Sequence, residues 1–198
     1  MFTIGIDLAG VATRPTGFCI LTEFKAETAI LYTDDDIIKK TSEYTPALVA
    51  IDAPLWLPPG RKSLEEKDTN HLRDSDRELL KKGIKLFPPT LGPMRKLTAR
   101  GILLRQTLEN LGFKVIEAYP GGTQDIWGIP RKHSGTQQLR EGLQKIGLKG
   151  LTVKMSHHEL DAATIAFVAM LHLEGETVTY GNPEQGIVMP KDRSSVFP

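Results

Sequence analysis

The strongest constraint on this chain is one design used twice. In Phe2-Thr3-Ile4-Gly5-Ile6-Asp7-Leu8-Ala9-Gly10, the apolar Phe2, Ile4, Ile6 and Leu8 alternate with Thr3, Gly5 and Asp7. That is the period-2 pattern of a strand with one face in a core. Asp7 falls at the end of the strand, on the face opposite the apolar set, just before a glycine turn. Gly5 and Gly10 leave room for another element to approach the backbone closely. Leu48-Val49-Ala50-Ile51-Asp52-Ala53-Pro54 repeats the arrangement: an apolar strand that delivers one aspartate at its C-terminal end. Either aspartate alone reads as a turn residue. Two of them suggest carboxylates converging on one edge of a sheet, where ligands bind in open α/β folds.

The pattern between and after these strands predicts an α/β domain over residues 1–190, with 191–198 as a frayed tail. Phe18–Leu21 and Thr28–Tyr32 read as the second and third strands, joined by about six residues, so the chain opens as a meander. Asp34, Asp35 and Asp36 read as the first turn of a helix to Ser42, where acids favour the dipole. Residues 60–92 read as an insertion containing a polar helix from Ser63 to Lys82. A helix follows from Pro93 to Leu111, then a fifth strand, Lys114–Ala118, closed by a turn at Tyr119-Pro120-Gly121-Gly122. Thr136–Ile146 reads as a short helix. Ser156 to Gly175 carries an S-x-x-E capping box at Ser156 and Glu159 before a long apolar run. Thr177–Tyr180 and Ile187–Met189 read as a terminal hairpin. The expected core is a five-stranded mixed sheet of order 3-2-1-4-5 with helices on both faces.

Within the last helix, Asp161 sits among Leu160, Ala162 and Ala163, on the face shared by positions 158, 161, 162 and 165. A carboxylate near that alanine-rich surface is costly if unpaired. Facing Asp7 and Asp52 it would make three like charges, which a hard divalent cation such as Mg²⁺ or Mn²⁺ would make comfortable. Pairing with an arginine, or an outward-facing position, serves this residue equally well.

Composition limits the partners. Net charge is +1, but residues 61–105 hold twelve Lys and Arg against six Asp and Glu, or +6, leaving −5 for the rest. One-sided charge of this kind marks a polyanion binder, although a solvated helical surface has the same composition. The lone cysteine, Cys19, excludes an intrachain disulfide and reads as a buried, inert thiol. No apolar run reaches the ~20 residues of a membrane span, and no signal peptide is read, so the cytoplasm is expected by elimination. There is no Walker loop, no G-x-S-x-G and no Cys/His zinc spacing.

Taken in order, GIDLAG at 5–10, AIDAPLWLP at 50–58, FPP at 87–89, RG at 100–101, EAYPGG at 117–122, HELDAATIA at 158–166 and PEQG at 183–186 are similar to a domain-of-unknown-function family described as predicted nucleases. Its fold resembles RNase H, especially the RuvC-like resolvases, whose carboxylates come from the first strand, the fourth strand and the last helix and hold two metal ions. The resemblance implies Asp7, Asp52 and Asp161 as ligands of Mg²⁺ or Mn²⁺, in a nuclease that cleaves phosphodiester bonds by a two-metal mechanism. Glu117 is a further catalytic candidate, with an arginine pair as the alternative. His158 is another, as ligand or proton-handling group, with a structural hydrogen bond as the alternative. Arg73, Arg77, Arg95, Lys96 and Arg100 are the expected contacts to a nucleic-acid partner. The oligomeric state is left open, a homodimer included. Two other readings stand beside the nuclease: a nucleotide-binding relative of the actin-like and sugar-kinase fold, and a non-catalytic module that binds nucleic acid or protein.

Overall fold

The computed structural model describes residues 2–67, 69–131 and 135–191. Its elements are β1 (Phe2–Asp7), β2 (Thr16–Thr22), β3 (Lys25–Leu31), α1 (Asp34–Ser42), β4 (Leu48–Ile51), α2 (Asp74–Lys81), α3 (Met94–Asn110), β5 (Val115–Ala118), α4 (Pro120–Trp127), α5 (Thr136–Lys145), α6 (His157–Leu173), β6 (Thr177–Tyr180) and β7 (Ile187–Pro190). The strands form one seven-stranded sheet of order β3-β2-β1-β4-β5-β7-β6. The five-stranded expectation is therefore corrected. The terminal hairpin does not stand apart: β7 pairs in parallel with β5 through Glu117 and Ala118, and carries β6 with it as the edge. Both strands of that hairpin are where their alternation predicts; only their joining to the sheet is a tertiary event.

β1 lies third in this order, antiparallel to β2 and parallel to the central β4. Alternation then sorts its residues. Ile4 and Ile6 pack with Phe18, Ile20, Ile37, Val49, Ile51, Leu104 and Leu108 in the core beneath α1 and α3. The other face packs on α6, with Cys19, Leu21, Ala162, Ala166 and Phe167 among its buried residues. Cys19 is buried there as expected, and burial pushes its thiol well above its ordinary pKa.

Three local expectations differ from the structure. The β2–β3 connection is a two-residue turn at Glu23-Phe24, both at positive φ (47° and 66°), and both strands are longer than their apolar runs. The Phe24 ring packs 5.6 Å from that of Phe167, which repays a turn conformation costly for such a residue. The helix expected over Ser63–Lys82 is reduced to α2. Upstream of it the buried Arg61 guanidinium donates to the carbonyls of Ser63, Leu64, Glu66 and Asn70, which therefore serve a side chain instead of a helical ladder. Finally, Tyr119–Gly122 is no turn. Pro120 starts α4 at a position where its missing N–H costs nothing, and a Cβ on Gly122 would meet Met189 at 2.7 Å. The tail expected over 191–198 lies, beyond Lys191, outside the described residues.

Candidate active site

Helix α6 reaches the ends of β1 and β4 because it lies almost backbone to backbone on the sheet. A Cβ on Gly5 would stand 2.0 Å from the Ala162 carbonyl oxygen, and one on Gly17 2.0 Å from that of His158. Thr3 Oγ1 donates to the Ala166 carbonyl at 2.9 Å, fixing the next turn. The helix start is fixed by its capping box: Ser156 Oγ accepts from the Glu159 N–H, and Glu159 Oε2 from the Ser156 N–H at 2.8 Å. Glu159 Oε1 also accepts from Thr28 Oγ1 at 2.7 Å, tying the cap to β3.

This seating delivers two α6 side chains to the strand ends. His158 Nδ1 lies 2.6 Å from Asp7 Oδ2, and the His157 ring packs on that of His158 at 4.0 Å. One turn on, Asp161 is only 3% exposed, and its Oδ1 accepts from Gln124 Nε2 of α4 at 2.8 Å. The parallel register pairs Ile6 with Ile51, and the Asp52 N–H donates to the Ile6 carbonyl at 2.9 Å, so Asp7 and Asp52 occupy neighbouring positions on adjacent strands. Asp52 and Asp161 line one cavity of about 410 Å³, together with Gln124 and Arg131.

Glu117 belongs to a different arrangement. It is in register with Ile51, hence on the sheet face away from Asp7. Arg73 Nη1 and Nη2 donate to its two carboxyl oxygens at 2.6 and 2.7 Å, and the Leu55 N–H donates to Oε2 at 2.8 Å. Arg73 also grips Asp76 through Nε and Nη2. Burial opposes the Arg73 charge, but Glu117 and Asp76 outweigh it and hold the guanidinium protonated. On the Glu117 side, burial pushes the carboxyl up despite the pull of Arg73 and the Leu55 N–H. The arginine-paired alternative is the one the structure adopts for Glu117.

Two expected nucleic-acid contacts are corrected by the same logic. Arg73, 5% exposed, is consumed by the buried cluster. Arg100, 8% exposed, donates to Asp34 and to the carbonyls of Ala9 and Tyr32, tying α3 to the loop after β1. Arginine's rigid fork of donors suits such internal bridging as well as it suits phosphate. Arg61 and Arg105 are buried too. Arg77, Arg95 and Lys96 remain exposed.

Gln124, Tyr119 and Arg131 are cavity residues that pattern reading passes over. Tyr119 Oη donates to the Lys85 carbonyl at 2.8 Å and accepts from Arg131 Nη1 at 3.2 Å. Burial raises the Tyr119 phenol above its ordinary pKa, against the pull of Arg131. The one available signal was Pro120 after a strand end, which marks a helix start and puts Gln124 on an otherwise buried face.

Among the described residues, no group of three or more His, Cys, Asp or Glu side chains is spaced to hold a metal ion. Of the three expected ligands, the cavity is lined by Asp52 and Asp161, and Asp7 is the register neighbour of Asp52. An all-oxygen donor pair fits Mg²⁺, which keeps several waters and takes one or two carboxylates plus substrate phosphates.

A family model described as "Protein of unknown function (DUF429)" matches residues 5–185. The chain belongs to that family. Comparison with curated proteins finds no match. Among solved structures, the chain is similar to Thermus thermophilus RuvC, at 14% identity and a TM-score of 0.51, over 88% of this chain and 97% of that one. This likeness shows a RuvC-like α/β fold. T. thermophilus RuvC in complex with Holliday junction substrate aligns at 16% identity and a TM-score of 0.49, covering 88% and 96%. The yeast mitochondrial Holliday junction resolvase Ydc2 aligns at 12% and 0.39, covering 83% and 75%. No helix among the described residues is long and apolar enough to cross a membrane.

Proposed function

We propose that this chain is a divalent-metal-dependent nuclease, acting through one RNase H-like domain over 1–190, with 60–92 as an insertion. The observation that carries the reading is the seating of α6 on Gly5 and Gly17, which brings Asp161 into the cavity lined by Asp52, the register neighbour of Asp7. Asp7, Asp52 and Asp161 would hold Mg²⁺ or Mn²⁺, two ions in the full site. Ions bound there would supply an activated water and neutralise charge on the leaving oxygen. His158 orients Asp7 through Nδ1, and Gln124 orients Asp161 through its amide; both are supports of the kind that ligating carboxylates need. Arg77, Arg95 and Lys96 would bind the phosphate backbone from the exposed surface.

The test is incubation with single-stranded, duplex and four-way-junction DNA and with RNA, in Mg²⁺, in Mn²⁺ and in EDTA, beside calorimetric titration of Mn²⁺. Cleavage that EDTA stops is expected, and Asp52→Asn and Asp161→Asn should lose both cleavage and Mn²⁺ binding while still folding. No cleavage of any substrate in either ion would sink the proposal.

A further inference from the structure

We propose that the cavity beside the carboxylates receives one unpaired base of a bound strand, which makes single-stranded or locally unpaired nucleic acid the substrate class. The inference rests on the nuclease reading and goes beyond it. Residues 84–97 interleave two kinds of side chain. Leu86, Phe87, Met94 and Leu97 line the cavity, while Lys85, Arg95 and Lys96, between or next to them, are exposed. Aromatic and apolar groups alternating with cations form the surface that single strands use, with bases on the rings and phosphates on the charges.

Phe87 is the informative residue. It lines the cavity and is nevertheless 77% exposed, a large ring held in water at the entrance. It is not left there by slack. Tyr119 Oη holds the Lys85 carbonyl at 2.8 Å on one side, and Thr98 Oγ1 holds the Pro89 carbonyl at 2.6 Å on the other. Pro88 and Pro89 stiffen the chain between those two points. A ring presented on a pinned segment costs little conformational entropy when a flat ligand stacks on it.

The size and the polar groups of the cavity suit a base. Asp52, Asp76, Glu117 and Asp161 line the cavity beside Arg73 and Arg131 and give it carboxylate oxygens. The ring N–H and amino groups of a base would find acceptors there, while the scissile phosphate would approach the ions that Asp52 and Asp161 would hold. A cavity of about 410 Å³ lies within the range of small-ligand pockets, about 300–1,000 Å³. It admits a nucleobase and excludes a duplex. The flanking phosphates then remain outside, on Lys85, Arg95 and Lys96.

The experiment is done in EDTA, so that no cleavage intervenes. A short oligodeoxynucleotide carrying one 2-aminopurine is titrated with the protein and with Phe87→Ala, first single-stranded and then annealed to its complement. Quenching of 2-aminopurine by the parent protein is expected in the single strand only. Phe87→Ala should weaken single-strand binding by about 5- to 150-fold, the range for loss of one base–aromatic stack, and leave duplex binding and the melting temperature unchanged. Single-strand affinity and quenching indifferent to Phe87→Ala would overturn the base pocket and leave the nuclease reading standing on its cleavage assay. Absence of binding to either form would likewise overturn the base pocket, with the nuclease reading still decided by its cleavage assay in Mg²⁺ or Mn²⁺.

Discussion

Helix α6 meets the sheet with backbone against backbone, while the insertion that completes the cavity is attached through side chains: a buried arginine cluster, and Leu79 and Ile84 packed on Ile187 and Met189. On the α6 side, Gly5 and Gly17 admit the helix so closely that a single Cβ would collide with a carbonyl oxygen. On the insertion side, the described residues of 61–73 (61–67 and 69–73) form no helix or strand, and Arg61 and Arg73 gather them, the latter bonded to Glu117 of β5. Steric seating fixes the positions of Asp161 and His158 without reference to ionic conditions. The ionic part of the insertion's attachment holds only while every partner is present, since a buried charge stripped of its partner is a large liability. The carboxylate wall is thus set by backbone contact, and the wall bearing Phe87 by side-chain contacts, ionic and apolar.

The sharpest break of this contrast is Arg73→Ala. It strands Glu117 and Asp76 as buried carboxylates and should cost about 3–5 kcal/mol in urea unfolding. A loss below about 1 kcal/mol, the worth of an exposed ion pair, would mean the insertion is held by something else. Next in size is Gly17→Ala, where the new methyl meets the His158 carbonyl. Overpacking of this kind costs about 1–3 kcal/mol, occasionally more, and here it should also disturb the His158–Asp7 contact, visible as a shifted His158 ring resonance. An unchanged resonance and stability would show that α6 is not seated as described. The smallest effect on folding belongs to the exposed cations. Arg95→Ala and Lys96→Ala should each move stability by no more than about 0.5 kcal/mol. Each should nevertheless lower the slope of log affinity against log salt for nucleic acid by about 1. A slope untouched by either change would leave the +6 segment as a solvated surface and nothing more.

The corrected arginines explain how charge misleads. In the sequence, Arg73, Arg77, Arg95, Lys96 and Arg100 are five cations in one basic stretch. Folded, two of them are internal struts and three face solvent. Nothing within a few residues distinguishes them, because Arg73 finds Glu117 forty-four positions away and Arg100 finds Asp34 sixty-six away.

What the sequence determined by itself is whatever a few neighbouring residues decide. The alternation of Phe2–Asp7 specifies β1 and puts Asp7 opposite the apolar face; Ser156 and Glu159 cap α6; Thr33 and Asp36 cap α1 by the same reciprocal bonds. The order of the first five strands followed from these pieces, and so did the placement of Asp7, Asp52 and Asp161 at strand ends and in the first turns of the last helix. Only the tertiary structure decided that β7 joins β5, that Glu117 turns to Arg73, that Gln124 holds Asp161, and that Phe87 stands exposed at a cavity. These are choices among partners distant in the chain. They are settled by which groups remain to be buried or hydrogen-bonded once the local elements have packed, and local propensity carries no information about that remainder.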